Sequence, residues 1–333
     1  QALKATEEGL ADVQQLWKEV GELVIKPLKE SIGDAQTLFI SPDAELNRIP
    51  FAALSSYKDD QLLGDLVKIR LLTSGRELLD LVKRSKSIKQ KPLVVANPEF
   101  NLLKPFIRKQ ASEFIAISPS QQRSGDLTSF NWSPLPGTAK EGKAIAKLTN
   151  AQLLTKNKAS ALAIQEQQQA PKFLHIASHA YFLADQKKGE NPLLRSFIVL
   201  AGANDPEANP KDDGYLTALE VTKLDWNGTE LVVISGCESG KGDIQSGEGV
   251  YGLKRAIAVA GARSSLLSLW EVDDAATAAF MKSFYERLKK GEGRAEALAA
   301  TQKEFRNHSV PGWRHPYVWA AFQLSGDWRS IDW

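Results

Sequence analysis

Two side chains that could act together as a nucleophile and a base are His179 and Cys237, 58 residues apart (237 − 179). Cys237, the only cysteine of the chain, follows closely on residues 231–234 (LVVI). An uncharged, β-branched run with a glycine soon after it is typical of a parallel strand buried on both faces. His179 follows a second short apolar run, residues 171–177 (PKFLHIA). Reactive groups collect beyond the carboxyl ends of parallel strands, so we expect the two side chains to meet at one edge of a sheet.

Nucleophilic catalysis by a thiol needs both groups. A free thiol has a pKa of about 8.5, so only a few per cent of it is thiolate at neutral pH. An imidazole partner raises that fraction and can protonate the departing amine. A cysteine with a histidine about 50 residues upstream is the caspase-type arrangement. The pair therefore indicates thiol chemistry, although a lone cysteine at the end of a buried strand can also be a small core residue.

Other chemistries fit the chain less well. Residues 247–252 (GEGVYG) match the dinucleotide fingerprint, but they begin about twelve residues after the strand that should lead directly into them. An α/β-hydrolase is disfavoured because the glycines around Cys237 are misplaced and the histidine comes first. One cysteine and four histidines offer no zinc-ligand spacing. No cofactor or metal is therefore expected, and His175 is predicted to be a buried structural residue.

Five motifs follow one another along the chain: LHIASH (174–179), LVVISGCESG (231–240), GEGVYGLKRA (247–256), AGARSSLLSLWEVDD (260–274) and HPYVWAAF (315–322). In order and spacing they agree with the CHAT family of caspase-like domains, which the chain resembles over nearly its whole length. Residues 49–54 (IPFAAL), after a Pro-Asp turn, resemble the amino-terminal half of such domains. Proteins of the family often carry TPR repeats ahead of the CHAT domain, and its active members are cysteine endopeptidases of the caspase, separase and gingipain clan.

The resemblance implies a cysteine endopeptidase in which Cys237 attacks the peptide carbonyl and His179 is the acid and base. The oxyanion would be held by the backbone N–H groups of Cys237 and Ala180, where Ala180 replaces the usual glycine of the clan. The first specificity pocket would include Ser235 and the segment Trp270–Asp274. Asp273 or Asp274 there would favour Arg or Lys, although an Asp at this place is also an ordinary helix N-cap, and Ser235 leaves a small or apolar preference open.

Two hypotheses that do not make the domain a constitutively active enzyme remain. The domain could be a weak or inactive scaffold that binds a protein partner, or a switch whose cleft opens when an upstream TPR or sensor region changes shape. In the active case the partner is a protein or peptide substrate.

Composition is that of a globular protein able to bury a full core: 333 residues, 43% hydrophobic, 25% charged, net charge +2. The single cysteine excludes an internal disulfide, which suits a reducing, cytoplasmic compartment. No apolar run approaches ~18 residues, so no membrane segment is expected. Because the sequence begins at Gln1 and its only methionine is Met281, we expect it to be a piece of a longer protein.

Charge is distributed unevenly. Residues 201–250 carry ten acidic residues against three lysines, a local net charge of −7. Such a surface disfavours nucleic acid as a direct partner. The acids could be solvated loops, or they could form a rim that steers basic peptides towards the cleft.

The alternation of apolar strand and helix patterns predicts an α/β fold with a mainly parallel sheet flanked by helices. We divide the chain into an amino-terminal, non-catalytic caspase-like half (1–134) and a catalytic half (135–333). Residues 103–133 lack periodicity and are expected to form a mobile insertion. Thr138 is predicted to cap a helix, with Glu141 completing a capping box, and residues 315–324 are predicted to form the last strand.

Overall fold

The computed structural model describes residues 2–8, 13–58, 61–82, 90–101, 130–182, 192–209, 211–236 and 248–333. The strands are β1 (Thr37–Ile40), β2 (Lys68–Leu71), β3 (Leu93–Pro98), β4 (Gln152–Lys156), β5 (Phe173–Ala177), β6 (Ala180–Phe182), β7 (Ser196–Val199), β8 (Tyr215–Thr217), β9 (Leu231–Ile234), β10 (Ser264–Ser268) and β11 (Phe322–Gly326). The helices are α1 (Ala2–Glu7), α2 (Val13–Val24), α3 (Lys29–Ile32), α4 (Leu63–Leu66), α5 (Glu77–Val82), α6 (Pro136–Thr149), α7 (Ala161–Gln165), α8 (Ala218–Val221), α9 (Glu248–Val259), α10 (Asp274–Lys289), α11 (Arg294–Arg306) and α12 (Pro316–Trp319).

Eight strands of the described chain form one sheet, in the order β1-β2-β11-β10-β9-β5-β3-β4. All neighbours are parallel except β10 and β11. The strands β10, β9, β5, β3 and β4 therefore share one carboxyl edge, and β11, β2 and β1 point their carboxyl ends the other way. The predicted α/β fold with a mainly parallel sheet flanked by helices is confirmed.

The central strands are buried because their side chains are apolar on both faces. Every residue of β5 and β9 is buried, and so are the first four residues of β3. The helices α6 and α10 pack side by side, and α11 packs beside α10. Their apolar residues, among them Ile145, Phe280 and Phe284, join the strands in the main hydrophobic core.

A second, three-stranded antiparallel sheet, β6-β7-β8, begins directly after His179. Its strands are only three or four residues long. Phe197 and Tyr215 of this sheet pack with Phe100 and Trp132 in a separate aromatic cluster. This cluster supports the histidine side of the candidate site.

The predicted amino-terminal half contributes strands to both sides of the sheet. Strands β1 and β2 lie at one edge beside β11, whereas β3 lies between β5 and β4. The division at residue 134 stays a prediction. Of the predicted insertion, residues 103–129 lie outside the described residues, but Trp132 is buried and Phe130 half-buried.

Two local expectations are wrong. Thr138 does not cap α6, because the helix begins at Pro136 and the Thr138 hydroxyl donates to Leu135 O (2.6 Å). The same hydroxyl accepts the Asn97 N–H (3.1 Å), so it joins the helix to the end of β3. The predicted strand from residue 315 begins only at Phe322, because Pro316 starts the short helix α12 instead. Within the described ranges, no helix combines the length and apolarity needed to cross a lipid bilayer.

Candidate active site

Strands β5 and β9 lie side by side and run parallel. Their register pairs Phe173 with Leu231 and Ile176 with Ile234, and Ser235 N–H donates to Ile176 O (3.1 Å). The two strands therefore end together at the same edge of the sheet. His179 lies two residues beyond the end of β5. Cys237 lies outside the described residues, and Gly236 is the last described residue before it.

Gly236 lies directly against the segment that carries His179. A Cβ atom at this position would overlap the Ser178 carbonyl oxygen. Only a residue without a side chain permits this approach of the two backbones. The chain just before Cys237 and the chain just before His179 are thus in van der Waals contact.

The His179 ring is oriented by a backbone carbonyl. The side chain is 5% exposed, and its Nε2 lies 2.9 Å from Ser133 O. A carbonyl oxygen can only accept, so Nε2 carries a hydrogen. In the neutral ring the lone pair is then on Nδ1, which fixes which nitrogen can act as a base.

Aromatic side chains hold this arrangement in place. The rings of Phe100 and Trp132 each lie 5.3 Å from the His179 ring, centroid to centroid. Trp132 is fixed by two hydrogen bonds: its Nε1 donates to Tyr215 Oη (2.9 Å) and its backbone N–H donates to Asn204 Oδ1 (2.7 Å). Since Ser133 follows Trp132 in the chain, these bonds also position the carbonyl that binds His179.

The backbone beyond His179 leaves the Ala180 amide directed away from β7. Val199 N–H donates to His179 O (2.9 Å), which makes these two residues a hydrogen-bonded pair of the antiparallel ladder. Bonded and non-bonded pairs alternate along such a ladder. Ala180 and Ile198, the next pair, are therefore of the non-bonded type.

A small cavity of about 30 Å³ lies beside His179. Four residues of the predicted pocket line it, together with Glu141 and Thr277: Ser235, Glu271, Val272 and Asp274. The hydroxyls of Ser235 and Thr277 are buried and have no hydrogen-bond partner among the described residues. The cavity has room for a water molecule or two, but not for a substrate side chain.

Glu141 is held by a buried chain of polar groups. His175 Nε2 lies 3.0 Å from Glu141 Oε1, and Tyr285 Oη lies 3.3 Å from His175 Nδ1. All three side chains are inaccessible to solvent or nearly so. Burial, reinforced by the charge of Glu141, raises the pKa of Tyr285 well above its usual value, so its hydroxyl keeps its proton. His175 is thus buried, as predicted, and it also fixes an acid that lines the cavity.

The remaining predicted pocket residues have structural roles. Asp273 is exposed and caps α10, because its Oδ1 accepts the N–H groups of Ala275 (3.0 Å) and Ala276 (2.9 Å). Trp270 is fully buried, and its Nε1 donates to Tyr317 O (2.7 Å). Neither residue lines the cavity beside His179.

Asp274 joins two helices as well as lining the cavity. Its Oδ2 accepts Gly137 N–H (3.0 Å) at the start of α6. The described His, Cys, Asp and Glu side chains form no group of three or more that could hold a metal ion.

Sequence reasoning missed Ser133 and Glu141. Ser133 acts through its backbone, for which no side-chain signal exists. The aromatic pair Phe130 and Trp132, in an otherwise polar stretch, was the available sign that this segment is packed. Glu141 was assigned to a capping box, because the spacing from Thr138 fits one.

Comparison with known proteins identifies the family. The model of the CHAT domain matches residues 14–327. Tetratricopeptide repeat protein 28 of Homo sapiens is 26% identical over 317 residues, and that of Mus musculus is 27% identical. Each match covers 89% of this chain and 12% of the relative, so the chain spans about an eighth of the relatives' length.

Among solved structures, a Saccharomyces cerevisiae separase-securin complex is 14% identical, with a TM-score of 0.47 over 85% of this chain and 15% of that one. The Arg-specific cysteine proteinase gingipain R is 10% identical, with a TM-score of 0.48 over 99% of this chain and 74% of that one. Because the family model covers nearly the whole sequence, this chain belongs to the CHAT domain family.

Proposed function

We propose that this chain is a cysteine endopeptidase with a Cys237–His179 dyad. The observation that carries the proposal is the contact of the Gly236 backbone with the Ser178 backbone. Cys237 is the next residue after Gly236, and His179 is the next residue after Ser178. A nucleophile and a base must lie within hydrogen-bond reach of each other in the reacting complex. Membership of the CHAT domain family supports the same assignment.

The proposed reaction begins when His179 Nδ1 accepts the Cys237 thiol proton. The thiolate attacks the peptide carbonyl carbon, and the C–N bond breaks as the protonated imidazole gives its proton to the departing amine. His179 then removes a proton from water, and the resulting attack on the thioester releases the acid and restores the thiol. Ser133 O, by binding Nε2–H, keeps Nδ1 as the working nitrogen and stabilises the charged ring.

We assign the oxyanion hole to the N–H groups of Ala180 and Cys237. The Ala180 amide is directed away from β7, which leaves it available for a bound substrate. One such donor typically contributes ~10²-fold or more in rate. Ala180 keeps the donor that a glycine would offer, but its methyl group restricts how the backbone can turn.

The test is covalent labelling of the full-length protein by a peptide with a thiol-reactive carbonyl end group. We expect labelling of wild type, none after Cys237→Ala, and a loss of at least ~10²-fold in rate after His179→Ala, because the thiol is then no longer activated. His308→Gln, a histidine outside the site, is the matched control and should label normally. Labelling that survives Cys237→Ala would show that another residue reacts.

We infer a preference for a basic residue before the cleaved bond. Three carboxylates, those of Glu141, Glu271 and Asp274, line the cavity beside His179. The unpartnered hydroxyls of Ser235 and Thr277 add hydrogen-bond acceptors for a cationic head. The acid content of residues 201–250 would steer such peptides towards the cleft. The cavity must widen when a substrate binds, because it now holds only about 30 Å³.

Competitive labelling of the protein by a library of reactive peptides, which differ in the residue before the cleaved bond, would test this preference. We expect Arg or Lys to be favoured in wild type and that preference to fall about tenfold or more in Glu141→Gln, since a buried charge pair is lost. Asp273→Ala is the control: it removes an N-cap and lowers stability by ~1 kcal/mol without changing the preference. An unchanged preference in Glu141→Gln, with folding retained, would contradict the assignment.

The small volume of the cavity favours a second candidate, a domain that binds a partner and is inactive until its cleft opens. We propose that a tetratricopeptide repeat region precedes this chain in the full-length protein, as the name of its relatives suggests. Labelling only when a ligand of that region is present would support a switch. An absence of labelling under all conditions, with a partner still bound, would support a scaffold.

A further inference from the structure

A second, much larger cavity lies away from the candidate active site. Its volume is about 460 Å³, and it is formed by residues 36–71 on one side and 295–324 on the other. The apolar walls include Phe51, Leu66, Ile69, Leu298 and Trp319. None of its lining residues lines the cavity beside His179. Binding sites for small molecules have this size, and they commonly lie between two parts of a fold.

The cavity exists because two strands of the sheet barely touch. Strands β2 and β11 pair only through Leu71 and Ser325, so the sheet opens beside α11. Two ion pairs hold its sides: Arg306 donates to both carboxylate oxygens of Asp65 (2.6 and 2.7 Å), and Arg70 donates to Glu296. The cavity is therefore preformed, and a ligand would not have to create it.

The charges around this cavity favour an anion. Four basic and two acidic side chains line it, a net charge of +2. Both acids are engaged by Arg306 and Arg70. Lys68 and Lys303 are exposed and form no ion pair within the described part of the chain. Lys303 lies near enough to Asp65 to act on it electrostatically, but that carboxylate already accepts two hydrogen bonds from Arg306.

We propose that this cavity binds a small amphipathic anion, with its apolar body against Phe51, Leu298 and Trp319 and its head group at Lys68 and Lys303. The apolar walls supply most of the binding free energy through burial of the hydrocarbon. The two lysines supply the discrimination against neutral and cationic molecules of the same length. This proposal does not depend on peptidase activity.

The experiment is isothermal titration of the whole protein with dodecanoate, below the concentration at which the probe forms micelles. We expect saturable binding of one dodecanoate per chain, with dodecanol bound about tenfold more weakly and dodecyltrimethylammonium more weakly still. Lys68→Gln with Lys303→Gln should raise the Kd of dodecanoate about tenfold and leave the Kd of dodecanol unchanged. The control, Lys18→Gln with Lys158→Gln, removes two exposed lysines outside the cavity and should bind as wild type does.

A second variant tests whether the apolar walls of the cavity contribute to binding. Ala300→Leu extends a half-buried lining residue of α11 into the cavity and should weaken both dodecanoate and dodecanol. If it does not fold, the exposed lysine pair still decides the question. The proposal is overturned if wild type shows no saturable binding, if the alcohol binds as tightly as the carboxylate, or if neither set of variants changes binding. A dimer that buries this cavity, and that Ala300→Leu dissociates, would also overturn it.

Discussion

Lys254 is a charged residue placed where water cannot reach it. Its side chain lies in α9, is 2% exposed, and donates to Gln323 Oε1, a neutral group. No carboxylate pairs with it within the described ranges. Burial lowers its pKa from 10.5 to about 7. The folded protein therefore binds the Lys254 proton less tightly than the unfolded chain does.

This shift predicts how stability depends on pH. Between pH 7 and about 10.5 the unfolded chain holds more protons at Lys254, so stability rises as pH rises. We expect wild type to gain about 2 kcal/mol relative to Lys254→Met between pH 7 and pH 9, because each pH unit in this window corresponds to ~1.4 kcal/mol. Urea unfolding at several pH values measures it. The exposed Lys158→Gln is the control and should parallel wild type. Parallel curves for Lys254→Met would show that the lysine is solvated.

Sequence reasoning at the residue scale worked for groups whose position follows from a strand. His179 emerges at the carboxyl edge, as expected, because the apolar run before it forms β5. Ser133 and Glu141 were not predicted as site residues, because they approach from 46 and 38 residues upstream of His179 through packing. No local pattern records such contacts.

At the scale of elements, the segment 130–135 is the support of the candidate base. It has no regular secondary structure, and it is fixed instead by the side chain and backbone of Trp132. Tyr215 accepts from Trp132 Nε1 and donates to Ala203 O (2.9 Å), so a single phenol joins this segment to β8 and to the turn after β7.

A double-mutant cycle should detect this link. We expect Trp132→Phe and Tyr215→Phe to show a coupling of about 1 kcal/mol in the free energy of unfolding, since a buried hydrogen bond contributes about that much. Tyr57→Phe is the matched control: its hydroxyl is bound to Gly33 O elsewhere, and it should be additive with Trp132→Phe. Additivity of the first pair, measured by urea unfolding, would exclude a contribution from the Trp132–Tyr215 bond.

Elements were predicted well where burial made their pattern simple. The apolar runs before His179 and Cys237 form β5 and β9, and Asp273 is the N-cap of α10, the alternative that an Asp at this place allowed. Strand β4 at the sheet edge and the short strands β6 and β8 were not predicted. An edge strand or a three-residue strand contains too few buried positions to show a period.

On the scale of the whole molecule, the sheet has one weak junction. Strands β1 and β2 pair with each other at four positions, but β2 meets β11 at a single pair. Towards the opposite edge, which β4 forms, β3 pairs with β5 at four positions. The amino-terminal strands are thus attached to the sheet less firmly than β3 and β4, although β1 and β4 are both edge strands.

Hydrogen exchange should reveal this difference. We expect amides of β2 to exchange by local opening about tenfold or more faster than those of β3, because fewer interstrand bonds must break. Exchange measured by mass spectrometry on peptides covering 68–71 and 93–98 gives the comparison. Equal protection of the two strands would mean that side-chain packing, including the Asp65–Arg306 ion pair, replaces the missing backbone bonds.

The side chain of Gln323 in β11 connects the segment between β1 and β2 to α9. Its Nε2 donates to Ile49 O (2.9 Å), and its Oε1 accepts from Lys254 in α9, the helix that follows the Cys237 segment in the chain. A force that pulls residue 49 outwards is therefore transmitted to α9 through the side-chain amide of Gln323. Tension applied at residue 49, between β1 and β2, would reach α9 along a path of two hydrogen bonds, without passing through the central strands at all.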